Sequence, residues 1–242
     1  MPTMYRKRAA DRFGKSSSGW SAAKPLKRPS QARAKFTVQA IFDAFVRIWR
    51  TKGWEGVTTR AVALETGVSV GTLYDYFPNK EALLSGYVRH CIDALLVAIE
   101  VQVIQPVGLA WDERMRRLVR LTGEIKPQDL PYFDVAMLRL ESVIAEPKHH
   151  RRVFEELCAK WIKAMTACPD FPGRLDPDTV KILFASVWGA RRYLLLLDMD
   201  EGFQRRWIEE TTQSCLSRLQ QIATSVGVEA LGYEAEPSPQ NI

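Results

Sequence analysis

The stretch TTRAVALETGVSVGTLYDYFPNK, residues 58–80, decides how the chain reads. It predicts two short helices joined by a tight turn. Thr58 suits an N-cap, because its side-chain oxygen can accept from an orphan N–H of the first turn. Ala61, Val62 and Leu64 follow as one apolar patch. Gly67 stands where the first helix must stop, and such ends often need a residue that tolerates positive φ. Val68 offers an apolar plug between the helices. Ser69 can cap the second helix, and Pro78 cannot continue it. Leu73 and Phe77 are four apart and share the face that anchors this helix. Val70, Gly71, Thr72, Tyr74, Asp75 and Tyr76 then lie wholly or partly on other faces. Eight residues make a rod of about 12 Å, and the major groove of DNA, about 12 Å wide, admits one such helix. The expectation is a helix-turn-helix reading head.

The flanks extend this head. Thr37, Ile41, Ala44, Phe45 and Ile48 recur at three- and four-residue steps, which predicts a first helix over 31–52 with one buried face. Gly53 ends it. Asn79 can cap a fourth helix that runs through Val88, Ile92 and Leu95 to about Val103, before Pro106 and Gly108 break the pattern. A helix that leaves the head and enters the body is a lever.

From Ile41 through Leu84 the chain resembles the DNA-binding domain of TetR-family transcriptional regulators. The resemblance is carried by Ile41, Ala44, Gly53, Thr58, Thr59, Gly67, Val68, Ser69, Gly71, Thr72, Leu73, Tyr74, Tyr76, Phe77, Lys80, Glu81 and Leu83. It covers roughly residues 31–90 and says little about the remainder. It implies an all-α fold, an N-terminal three-helix helix-turn-helix head on a larger helical ligand-binding and dimerisation body. The domain expectation is a disordered basic extension over 1–30, the DNA-binding head over 31–90, the body over 91–228 and a loose tail over 229–242.

Charge supports a polyanionic partner. The net charge of +6 divides into +7 over residues 1–30, +3 over 31–90 and −4 over the rest. A basic front on a mildly acidic body suits a polyanion; charge alone does not separate DNA from RNA or an anionic membrane, and the helix pair selects double-stranded DNA. Arg28, Arg33 and Lys35, nearest the head, are candidate phosphate contacts, although a solvated tail is the simpler reading of residues 1–30. The extension is longer than the short basic arm common in the family.

By position in the family motif, Thr59 and Arg60 open the second helix as contacts to phosphate or base edges. Arg60 can pair bidentately with guanine. Val70 can pack on a thymine methyl, Gly71 allows close backbone approach, and Thr72, Tyr74 and Tyr76 carry hydroxyls for phosphate oxygens. Lys80 can donate to phosphate. For Tyr74 the alternative is core packing. Asp75 is read as solvent-facing, the alternative being a cytosine amino contact.

The body reads as wholly helical. Helices are expected over about 111–124, 131–145, from Pro147 past Met165, from Asp176 and Pro177 to about Leu197, and over about 203–226. Leu183, Val187, Ala190, Leu194 and Leu197 repeat at 4-3-4-3. Ile208, Thr212, Cys215, Leu219, Ile222 and Val226 repeat at 4-3-4-3-4. Such seams suit helix bundles. They pack either inside one chain or, as the family's dimerisation through its last two helices implies, as the interface of a homodimer. Trp111, Met115, Tyr132, Phe133, Met137, Phe154, Trp161, Met165, Trp188 and Tyr193 are candidates for a pocket taking an apolar or aromatic effector. Each could equally be plain core. Arg139, Arg191 or Arg192 could meet an acidic head group.

Other classes find little support. No uninterrupted run of about eighteen apolar residues is present, so no membrane span is expected. The N-terminus lacks the apolar centre of a secretion signal. Cys91, Cys158, Cys168 and Cys215 show no CxxC spacing and read as reduced cysteines of a cytoplasmic, nucleoid-associated protein. No GxSxG, HExxH or P-loop occurs, and adjacent His149 and His150 point to different sides of a helix, so neither catalysis, a metal nor a cofactor is expected. The leading expectation is a ligand-responsive repressor that binds a near-palindromic operator as a dimer. The second is a DNA-bound protein with the same head that recruits a partner without controlling transcription directly.

Overall fold

The computed structural model describes residues 32–124, 130–140 and 144–232, with side chains as far as residue 224. The described chain is all α, without a strand among the described residues. It divides into two compact units, 1–87 and 88–242. Arg28 lies outside the described residues.

In the first unit α1 spans Ala32–Gly56, with Gly53 non-helical at φ 63° and ψ −168°. The helix therefore stops at Gly53, as its left-handed φ requires, and a further turn follows. Ile41, Ala44, Phe45 and Ile48 are buried, joined by Val38, Phe42 and Trp49, a wider stripe than the sequence spacing alone marks. α2 spans Thr59–Thr66 and α3 spans Val70–Tyr76. The Thr58 side chain accepts from Ala61 N, and Gly67 closes α2 in the left-handed region at φ 71°. Phe42 and Phe45 meet Tyr87 at ring separations of 5.5 and 5.0 Å, and Phe42 meets Phe77 at 5.7 Å. Aromatic contacts of this kind add to the burial energy of the head. Leu64 departs from the expected inward patch. It is 85% exposed, while its neighbour Ala63 is buried. In an eight-residue helix the buried side is narrow, and Val62 with Ala63 fills it.

α4 spans Lys80–Ile99 and continues as a π-helical turn over Glu100–Ile104. Asn79 Oδ1 accepts from Ala82 N at 2.7 Å, the expected cap. By length and composition Lys80–Ile104 is apolar enough to cross a membrane, although no uninterrupted apolar run marks it. Its apolar character has another source: Leu83, Leu84 and Tyr87 are buried, and so are Leu95, Ile99 and Val103 further along. A helix that contributes to two cores keeps little polar face. Where it unwinds, its carbonyls are taken by arginines. Buried Arg114 donates from Nε to Leu109 O at 2.9 Å, from Nη2 to Pro106 O at 3.2 Å and from Nη1 to Val103 O. Arg117 Nη1 donates to Gln102 O at 2.9 Å. The bonds to Val103 O and Gln102 O satisfy carbonyls that the widened turn would otherwise orphan, and those to Pro106 O and Leu109 O hold the segment that follows it.

The second unit adds α5 (Trp111–Gly123), α6 (Val135–Arg139), α7 (Pro147–Thr166), α8 (Pro177–Leu196) and α9 (Glu201–Gly232). Its core gathers Met115, Leu118, Leu157, Trp161, Met165, Phe184 and Val187 with Leu95 and Ile99. Residue 131 does not open a helix. Asp134 does, its carboxylate accepting from Ala136 N and Met137 N, so α6 starts later than the proline suggests. Asp176 caps α8 with Pro177 behind it. α9 passes Gly227 and reaches Gly232. One glycine inside a helix costs only about 1 kcal/mol relative to alanine, and Glu229, Ala230 and Leu231 are helix formers.

Two carboxylates tie α7 to the second unit's part of α4 and its π turn. Glu100 is held below the usual carboxylate range by Lys160 and Lys163. Burial pushes Glu156 up, but Arg152 and Arg89 outweigh it and hold it below its ordinary value. A carboxylate depressed on folding contributes stability that is full above its unfolded pKa and lost as pH falls through its folded one. The unfolded reference is 4.5 for both. The melting temperature of this unit is therefore expected to fall as pH drops below that value. Glu156→Gln should remove part of the dependence. Melts at pH 6 and pH 3 that differ equally in both proteins would count against the role of Glu156.

Candidate nucleic-acid interface

The interface is built on α3. Ser69, extended at ψ 148°, accepts from Thr72 N at 3.0 Å, and its Oγ lies 2.8 Å from Thr72 Oγ1. The bond fixes the first turn of α3. Leu73 and Phe77 are buried at 0% and 2% exposure and anchor the helix from behind. Val70, Gly71, Tyr74 and Asp75 are exposed, and Thr72 is partly so. At Gly71 an added Cβ would meet only Ser69 Oγ, at 3.8 Å. Space there is open, so glycine is not required by the head's own packing. A requirement, if one exists, comes from whatever approaches the outer face.

Tyr74 is 45% exposed, which excludes the core reading for its ring. Its hydroxyl accepts from Thr59 Oγ1 at 3.2 Å. The start of α2 and the middle of α3 thus present two linked hydroxyls on one side. Arg60, beside Thr59, is exposed. Arg33 and Lys35 are exposed near the start of α1.

Two residues sit otherwise than the motif suggests. Tyr76 is 8% exposed and its ring lies against Phe77 at 6.4 Å. It belongs with the core that holds α3, since three residues past Leu73 the helix has turned back toward the same side. Lys80 Nζ stands 4.2 Å over the Trp54 ring. Its cation is pinned by an aromatic face, a contact worth about 0.5–1 kcal/mol where exposed, and reaching a phosphate would mean leaving that ring. Trp54, in the extra turn after Gly53, escaped notice because no periodic pattern runs through that turn. Arg47 pairs with Glu65 at 2.8 Å between α1 and α2. That pair orients α2, although as an exposed bridge it adds little stability.

The residues expected in a pocket fall into three groups. Met115, Met137, Trp161 and Met165 are fully buried. Trp111, Phe133, Phe154 and Trp188 are partly buried. Tyr132 is exposed, with its hydroxyl donating to Asp134 at 2.8 Å. Tyr193 is 68% exposed and turns away from the core.

The heptad seams also differ from the expected interface. Val187, Leu194, Thr212, Cys215 and Leu219 are buried within the single chain, and Leu183, Ala190, Ile208 and Ile222 are partly buried. The Val226 side chain lies outside the described residues. Only Leu197 of the named seam residues is exposed. The buried members of both seams serve this chain's own core, because a 4-3 repeat specifies an apolar face but not whose helix covers it. The outward face of α8 is a different set, Ile182, Ala185, Ser186, Gly189 and Tyr193, joined by exposed Leu197 at the helix end. Cys168 and Cys215 are pushed up to about 11 by burial, so neither thiol ionises readily.

Among the described residues no group of three or more His, Cys, Asp or Glu is placed to hold a metal. His149 has a structural task, its Nδ1 accepting from Glu146 N at 3.2 Å at the start of α7.

Residues 41–86 match the family model described as bacterial regulatory proteins, tetR family. Solved structures share the fold. A TetR transcription regulator from Haloarcula marismortui is 20% identical, with a TM-score of 0.55, over 77% of this chain and 98% of that one. A TetR-family transcriptional regulator from Streptomyces coelicolor is 20% identical at 0.51, over 76% and 99%. The TetR family repressor AlkX from Dietzia is 19% identical at 0.51, over 76% and 96%.

Proposed function

We propose that this chain, whose head belongs to the TetR family, binds a near-palindromic operator as a homodimer and represses transcription until a small effector enters its body. The observation that carries the reading is α3: Leu73 and Phe77 hold it from behind while Val70, Gly71, Tyr74 and Asp75 face outward. An outward helix of small and polar residues on a rigid turn fits the major groove, and two copies about 34 Å apart meet successive turns of B-DNA. The exposed face of α8 supports the dimer. It offers Ile182, Tyr193 and Leu197 with small residues between them, which allow close helix approach. An apolar or aromatic effector suits the aromatic residues around Phe184. Release follows only if that effector binds the DNA-unfit form more tightly than the DNA-fit form. α4, unbroken from Lys80 to Ile99, offers the mechanical link.

Within this scheme Thr59, Thr72 and Tyr74 are phosphate contacts, Arg60 and Val70 read base edges, and Arg33 and Lys35 add charge. Genomic fragments selected by the purified protein define the operator. On that operator Arg60→Ala is expected to cost about 1–3 kcal/mol, an amount typical of one bidentate base contact, and little on random DNA. Equal losses on both sequences in a titration at fixed salt would remove Arg60 from base reading. Failure to retain any fragment above background would remove the operator itself.

A further inference from the structure

Among the described residues, two buried donors of the second unit lack acceptors: Trp161 Nε1 and Arg191 Nε. Buried donors are nearly always paired, so each exception asks for a reason. Trp161 is fully buried. Arg191 as a residue is partly buried, with its Nε shut off from solvent. The two are joined by aromatic rings. Trp161 meets Phe184 at 5.5 Å, Phe184 stacks on Trp188 at 6.1 Å and 17°, and the Arg191 guanidinium lies 5.3 Å over Trp188. No Asp or Glu pairs with Arg191 among the described residues. The group that faces it electrostatically is the Cys91 thiol on α4, whose Sγ lies 3.9 Å from Tyr132 O. Arg139 and Arg192, the other cations considered from sequence, are exposed. Burial draws Arg191 down to about 10, which still leaves it charged at neutral pH. A donor shut off from solvent without an acceptor is costly to a fold, the more so on a charged group. The Trp188 ring holds the guanidinium but offers its Nε no acceptor.

We propose that Arg191 anchors the anionic head of the effector, a carboxylate on an otherwise apolar molecule, whose apolar part lies along Trp188 and Phe184 toward Trp161. This rests on the effector-responsive reading and narrows it to one chemical class. A planar guanidinium can give a carboxylate two parallel N–H bonds, and its place over the Trp188 ring fixes where the acid must lie. Neutral or cationic analogues of the same shape leave the guanidinium unpaired and bind less well.

The test uses matched pairs on the full-length protein: benzoate against benzyl alcohol and decanoate against decanol, measured by calorimetry. Operator affinity is measured in the same solutions. At least one acid is expected to bind about tenfold to a hundredfold tighter than its alcohol, the range of one charge-assisted bond. Arg191→Met should abolish that preference while binding the alcohol as before, and Arg191→Lys should restore part of it. Arg191→Met should also melt no lower than the natural chain, because it removes a buried donor that has no acceptor. The proposal is overturned if no pair shows the preference, or if Arg191→Met keeps it. Loss of melting temperature with the preference intact marks a structural arginine and overturns it too. An acid that binds through Arg191 without changing operator affinity leaves this inference standing and removes the effector-responsive reading. An alcohol that releases the operator as well as its acid does the reverse.

Discussion

Leu73→Ala is expected to cost about 2–5 kcal/mol of stability and to abolish operator binding. Leu73 is fully buried, and it sits at the centre of a seven-residue helix. So short a helix has almost no stability of its own, because nucleation is unfavourable and few bonds repay it. Its caps at Ser69 and Phe77 define where it starts and stops, but the buried side chain of Leu73 holds it in the head, where α3 packs on α2. Removing three heavy-atom groups leaves a cavity that a small head cannot collapse around without moving α3. The loss should appear as a lower melting temperature and as DNA affinity reduced to the nonspecific level. Tyr74→Phe provides the contrast. It removes the hydroxyl that accepts from Thr59 Oγ1 on an exposed surface, so it should change stability little and weaken all DNA sequences similarly. A Leu73→Ala protein that melts within a degree of the natural chain and still binds its operator would remove α3 from its assigned place.

Gly189→Glu is expected to convert the proposed dimer to monomer at micromolar concentration and to lower operator affinity by orders of magnitude with it. Gly189 is exposed on α8, and a Cβ there would meet nothing within 4 Å in its own chain. Glutamate is also a better helix former than glycine. Within the monomer the substitution is therefore harmless or mildly stabilising. In a two-fold dimer through this face, the same patch meets its own copy, so each added charge is desolvated near another like it. Val187→Ala gives the opposite result. Val187 is fully buried in the chain's own core, so its loss should cost about 2 kcal/mol of folding stability and leave association nearly unchanged. Sedimentation velocity on both variants separates the two faces of α8. A Gly189→Glu protein that remains a dimer would move the interface elsewhere, and a Val187→Ala protein that dissociates without losing stability would return it to the heptad seam.

Local chemistry made the head legible from its residues. Thr58, Gly67, Ser69 and Asn79 act through bonds to backbone groups a few positions away, so their caps follow from spacing without knowledge of the rest of the fold. Gly53 is of the same kind. The all-α character and the outward face of α3 follow from periodicity in turn. Which helix covers a given apolar face is a long-range matter, and there the chain alone left choices open. Leu183 to Leu197 carries the spacing of an interface, yet Val187 and Leu194 are consumed by the chain's own core, and the opposite face of α8 is left outward. Tyr76 and Lys80 bear groups suited to phosphate, but one is buried and the other rests on Trp54. Arg191 was one of three equivalent arginines until the fold shut its Nε away beside Trp188. Hydrogen bonds to near neighbours are written in order along the chain; burial is a property of surfaces that distant segments share, and only folding brings those together.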